Sequence, residues 1–94
     1  MRNTDHTLHI QLSSCEGAII RALGLMERRG YRLQTCTLNR MPDDRCVLDV
    51  MVESTRPGDL LKRQLERLVD VSDVILKAPA RQQAVRRINV HARA

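Results

Sequence analysis

The chain has 94 residues, room for one small domain. Tyr31 is the only aromatic residue and there is no Phe or Trp, so the core must be aliphatic, and a module that stacks bases on strand aromatics is excluded. The net charge is +5, but the first 76 residues balance acid against base, and the excess lies at Lys77, Arg81, Arg86, Arg87 and Arg93. That is a basic tail on a neutral body, which argues for solubility or a partner contact rather than a nucleic-acid face.

Residues 1–4 are polar and read as a frayed start. Over residues 7–12, Leu8, Ile10 and Leu12 alternate with Thr7, His9 and Gln11, the pattern of a half-buried strand. Ser13 and Glu16 then stand at capping-box spacing. Ala18, Ile19, Ala22, Leu23 and Met26 recur at helical spacing, and Gly30 stands where a helix C′ glycine belongs.

Residues 31–38 read as a second strand. Its alternation is weak, which predicts an edge or interface position. Met41, Pro42, Asp43 and Asp44 form a turn by composition. Residues 46–52 are the clearest strand: Cys46, Leu48, Val50 and Val52 share one face, and Val47, Asp49, Met51 and Glu53 the other.

Ser54 and Thr55 as caps, an early Pro57 and an early acid, Asp59, open a second helix. Leu61, Leu65 and Leu68 form its stripe, with Leu60 and Val69 beside it. Asp59 and Arg63 stand four apart in the acid-first order, and Asp70 closes the helix. Val71–Leu76 is a fourth strand, and Pro79 ends regular structure. The expected division is a folded domain over residues 1–78 and a basic tail over 79–94, where Ile88, Val90 and Ala92 leave a short strand, a partial helix or neither open. The order β-α-β-β-α-β predicts an α+β, ferredoxin-like fold: a four-stranded antiparallel sheet with two helices on one face.

No residues group as a catalytic or metal site. His6 and His9 are separated by an odd number and so point to opposite faces of a strand, and no Cys/His pair has zinc-ligand spacing. Cys15, Cys36 and Cys46 are odd in number and lack a CxxC, which reads as reduced thiols in a cytoplasmic protein. Residues 1–9 lack the apolar run of a signal peptide, and no stretch approaches a membrane span. The strongest binding candidate is the turn at Gly17, where a helix start leaves backbone N–H groups without intrahelical partners and no side chain shields them.

Two stretches carry a family resemblance. One is Gly17-Ala18, the helix, and Arg29-Gly30-Tyr31. The other is Asp59-Leu60-Leu61, Gln64-Leu65 and Leu68-Val69-Asp70-Val71. Over residues 6–78 the chain resembles an ACT domain, and more narrowly the small regulatory subunit of acetolactate synthase, of the short isozyme II type. The resemblance implies a non-catalytic, dimeric subunit, paired through its ACT domains, that binds and activates the acetolactate synthase large subunit in branched-chain amino acid biosynthesis. Thiamine diphosphate, FAD and magnesium would then sit on the large subunit only, with no cofactor here. It also implies an effector loop for valine or a related amino acid, mapping onto Ser14, Cys15, Glu16, Gly17, Ala18 and Ile19. Valine-sensitive members carry Asn at the place of Ser14 and a small residue at that of Glu16. Glu16 would pair with an ammonium and repel a carboxylate, and Gly17 would alternatively serve packing alone. Two other readings stay open: a free-standing amino-acid-sensing domain acting on another enzyme, and, with the tail, a nucleic-acid module.

Overall fold

A computed structural model of the protein describes residues 3–77. The basic tail proposed for residues 79–94, with its candidate strand at 88–92, lies outside the described residues. The elements run β1 (Thr4–Leu12), α1 (Ala18–Arg28), β2 (Arg32–Arg40), β3 (Cys46–Ser54), α2 (Gly58–Glu66) and β4 (Val71–Leu76). The sheet order is β2-β3-β1-β4, antiparallel throughout. This is the ferredoxin-like α+β arrangement expected from the element order.

Side-chain alternation sets the two faces. Leu8, Ile10 and Leu12 of β1, Cys46, Leu48, Val50 and Val52 of β3, and Val74 of β4 are buried beneath the helices. Ala18, Ala22, Leu25 and Met26 of α1 and Leu61 and Leu65 of α2 complete one aliphatic cluster. Each fully buried leucine contributes roughly 2 kcal/mol. The opposite face, with His9, Asp49 and Met51, is half-buried, and there the His9 Nδ1–H donates to Asp49 at 2.8 Å.

β2 is the edge strand its weak pattern predicts: almost every residue along it is exposed. Its bounds differ from expectation because Tyr31 is not a strand residue. α1 ends in a Schellman motif: Gly30 takes φ +87°, its N–H donates to Glu27, and the Tyr31 N–H donates back to the Met26 carbonyl at 2.9 Å. That reversal turns Tyr31 into the core, where it is 1% exposed and its hydroxyl donates to the Pro57 carbonyl at 2.7 Å.

Four local expectations are corrected. β1 begins at Thr4 rather than Thr7, because β3 extends to Ser54 and pairs with it. α2 has no Ser or Thr cap: Pro57 is its N-cap residue, while the Ser54 hydroxyl donates to the Gly30 carbonyl at 2.8 Å and accepts from the Arg56 N–H. The same helix stops at Glu66, before Asp70, and leaves Val69 91% exposed. Its ion pair at four-residue spacing joins Lys62 to Glu66 at 2.7 Å, not Asp59 to Arg63.

Tyr31 therefore ties the end of α1 to the start of α2. Burial pushes its phenol above the ordinary value, against the opposing charge of Arg56 and the Leu61 backbone. Replacing it, Tyr31→Phe, should cost about 1 kcal/mol in urea unfolding. The folded state holds the phenolic proton more tightly than the unfolded chain does. The contribution is thus full below the ordinary phenol pKa and is lost as pH rises through the folded value. Unfolding measured from pH 8 upward should show an alkaline loss in the wild type, starting at about pH 10, that Tyr31→Phe lacks.

Candidate functional site

The residues between β1 and α1 form a loop held at both ends. Its first residue, Ser13, donates its N–H to the Asp70 carbonyl at 2.8 Å and its hydroxyl to the same oxygen at 3.2 Å. Next, the Ser14 hydroxyl accepts the Glu16 N–H at 3.3 Å, a local turn that closes within the loop. The expected capping box does not form. Gly17, not Ser13, is the N-cap residue of α1, at φ +72°, and no side chain caps the helix. An αL residue there redirects the chain so that Ser13 and Glu16 no longer bracket the first turn.

Gly17 is also covered. A Cβ at this position would meet Nη1 of Arg21 at 3.0 Å, so the Arg21 guanidinium lies over the glycine. Arg21 Nε donates to Asp70 Oδ2 at 2.8 Å, with Nη2 on the same oxygen. Asp70 therefore holds the loop through its carbonyl and α1 through its carboxylate.

The six residues assigned to an effector loop separate into two sets. Ala18 is buried in the core and Ile19 packs against it. Ser14, Cys15, Glu16 and Gly17 remain in the loop itself. Of these, Cys15 and Glu16 line a depression of about 300 Å³, whose other wall is Arg40 and Asp44 from the β2–β3 hairpin. The loop and the hairpin meet because Leu12, at the end of β1, pairs with Cys46, at the start of β3.

The two walls are covalently joined. Cys15 and Cys46 form a disulfide, with Cα atoms 5.5 Å apart. This corrects the expectation of three reduced thiols. A separation of 31 residues gives no hint of the pairing, which follows from strand register instead. Cys36 is free and exposed on β2.

Glu16, Arg40 and Asp44 make no side-chain hydrogen bond or ion pair among the described residues, whereas neighbouring Arg45 binds Asp43 at 2.7 Å. Asp44 stands in the turn at φ +74°. Arg40 and Asp44 were not singled out from sequence as ligand contacts, nor was Arg21. Asp43 and Asp44 read only as turn residues, and only strand register brings the hairpin to the loop.

Position 17 gives a direct test of the loop geometry. Gly17→Ala should cost about 1–2 kcal/mol, because an L-residue with a Cβ is strained at positive φ. Gly17→Asn should cost less, since Asn tolerates αL. Thermal unfolding of both variants checks this; equal losses would mean that the positive φ is not the constraint.

Comparison with known proteins agrees with the fold. A family model described as the ACT domain matches residues 14–74. No curated protein matches the sequence. Among solved structures, the crystal structure of the ACT domain from GTP pyrophosphokinase of Chlorobium tepidum superposes with a TM-score of 0.68 at 17% identity, covering 81% of this chain and 100% of that one. The solution structure of the same domain gives 0.66 at 18% identity, covering 83% and 90%. The C-terminal domain of the MgtC protein from Mycobacterium tuberculosis gives 0.62 at 10% identity, covering 82% and 87%. At these identities the structural likeness speaks to the fold. With the family match running from the loop into β4 and the sheet order in agreement, the chain belongs to the ACT domain family.

Proposed function

We propose that this ACT domain senses a small zwitterionic amino acid and passes its occupancy to a partner enzyme. The observation that carries the reading is the depression between loop and hairpin, where charges of both signs stand unpaired among the described residues: Glu16 and Asp44 against Arg40. An α-amino acid presents the complementary pair. Its ammonium would sit between the two carboxylates, and its carboxylate would take the planar guanidinium, which matches it with two parallel hydrogen bonds. At about 300 Å³ the space stands at the small end of ligand sites, suited to an amino acid rather than a nucleotide. This moves the carboxylate contact from the Gly17 amides, over which Arg21 lies, to Arg40.

Transmission to a partner would run through β2. Its outer edge is unpaired among the described residues, and Arg40 at its end is part of the depression. A second copy pairing along that edge would place its own strand beside the ligand, so that occupancy and assembly are coupled.

A narrower reading makes the partner the acetolactate synthase large subunit, acting in the cytoplasm. It is favoured by the run Gln64-Leu65 and Leu68-Val69-Asp70-Val71, whose Asp70 is the residue that holds the loop. Mixing the chain with that large subunit and following acetolactate formation tests it: a rise in activity supports the partner, and no rise with no co-elution removes it.

The sensing reading itself is tested by titration calorimetry with valine, leucine and isoleucine. Saturable binding is expected, lost in analogues lacking either the ammonium or the carboxylate. Arg40→Ala should weaken it by about 10- to 100-fold, the cost of one charged hydrogen-bonded contact. Unchanged affinity in that variant would remove Arg40 from the site.

A further inference from the structure

We propose that the Cys15–Cys46 disulfide is a reversible redox clamp that sets the opening of the loop–hairpin depression. Its functional meaning rests on the sensing role proposed above, but its chemistry stands on separate observations. The bond joins the two walls of the depression: Cys15 belongs to the loop wall, and Cys46 follows the hairpin that supplies Arg40 and Asp44. When it is formed, the loop can shift only with β3, the strand buried between β1 and β2. When it is broken, the loop is held at its start by Ser13 on Asp70, and at its end by entry into α1.

Access to the two cysteines is unequal. Cys46 is fully buried, at 0% exposure, whereas Cys15 is 6% exposed and lines the depression. Reduction therefore proceeds by attack of a small thiolate on the Cys15 sulfur, which expels the Cys46 thiolate; that sulfur then takes up a proton. A second small thiol resolves the mixed disulfide at Cys15. The balance is one protein disulfide and two small thiols going to two protein thiols and one small disulfide, a two-electron exchange. The same small disulfide, running the steps backwards, closes the clamp.

Cys36 supports a reversible rather than a permanent bond. It is a free, exposed thiol in the same domain. A free thiol in the same domain is unlike the fully paired cysteines of a secreted scaffold. It also supplies an internal control, because it should be alkylated in reducing buffer and carry glutathione in oxidising buffer, with no partner sulfur in the described residues.

The experiment uses the full chain in buffers of graded reduced-to-oxidised glutathione. Differential alkylation with mass spectrometry reads each cysteine, and hydrogen exchange reads the amides of residues 13–19. Cys15 and Cys46 should become protected together as the buffer is made oxidising, while Cys36 remains reactive towards the alkylating agent or glutathione. Loop amides should exchange about tenfold faster in the reduced chain, the direction that release of a local segment gives. Cys15→Ala and Cys46→Ala should each show the fast loop in every buffer, and Cys36→Ala should keep the response. The proposal is overturned if Cys15 and Cys46 stay reactive in the oxidising buffer, or if loop exchange is the same in both states. Valine titration in the same buffers separates the two proposals. A redox response of the loop with no amino acid binding in either state leaves the clamp standing and removes the sensing role. Binding of equal affinity in both states overturns the clamp's control of the opening.

Discussion

The antiparallel pairing of β1 with β3 is the contact on which the rest depends. It runs from Thr4 against Ser54 to Leu12 against Cys46, and places Leu8, Ile10, Leu48 and Val50 side by side under the helices. A slip of one residue would turn those side chains outward and bring His9 and Asp49 into an aliphatic core. Burial therefore specifies the register strongly. The same register brings the loop after β1 to the hairpin before β3. The depression, the disulfide between its walls and the position of Arg40 all follow from which residue faces Leu12.

A second set of contacts fixes the helices to that frame. Tyr31 and Ser54 join the end of α1 to the approach to α2, through the Pro57 and Gly30 carbonyls. At the other end, Asp70 gathers Ser13 and Arg21. These are polar ties at the two ends of an otherwise aliphatic molecule with a single aromatic side chain. Directional hydrogen bonds at the helix ends locate α1 and α2 where aliphatic packing alone would tolerate sliding.

Strands and helices were legible in the sequence where one face is buried. β3 alternates buried Cys46, Leu48, Val50 and Val52 with half-buried Val47, Asp49, Met51 and Glu53, and β2 shows an edge strand's lack of pattern. Gly30 announced the Schellman stop. The helix starts were less legible. Ser13 with Glu16, and Ser54 with Thr55, match a capping pattern, yet each start is set by backbone: αL at Gly17 and the restricted φ of Pro57. Ser13 and Ser54 instead cap nothing and hold neighbouring segments, partners that no local pattern can show. The candidate site was half legible. Cys15 and Glu16 stood out in the loop; Arg40, Asp44 and the Cys15–Cys46 pair depend on strand register, which a list of spacings does not contain.

The central functional claim is that an amino acid binds between the loop and the hairpin. The most direct measurement is a titration of the ¹⁵N-labelled chain with valine, followed by amide chemical shifts. The account predicts saturable shifts concentrated at Cys15, Glu16, Gly17, Arg40 and Asp44, extending along the β2 edge. Shifts confined to the open sheet face around His9 and Asp49, or the absence of shifts with each branched-chain amino acid, would contradict it.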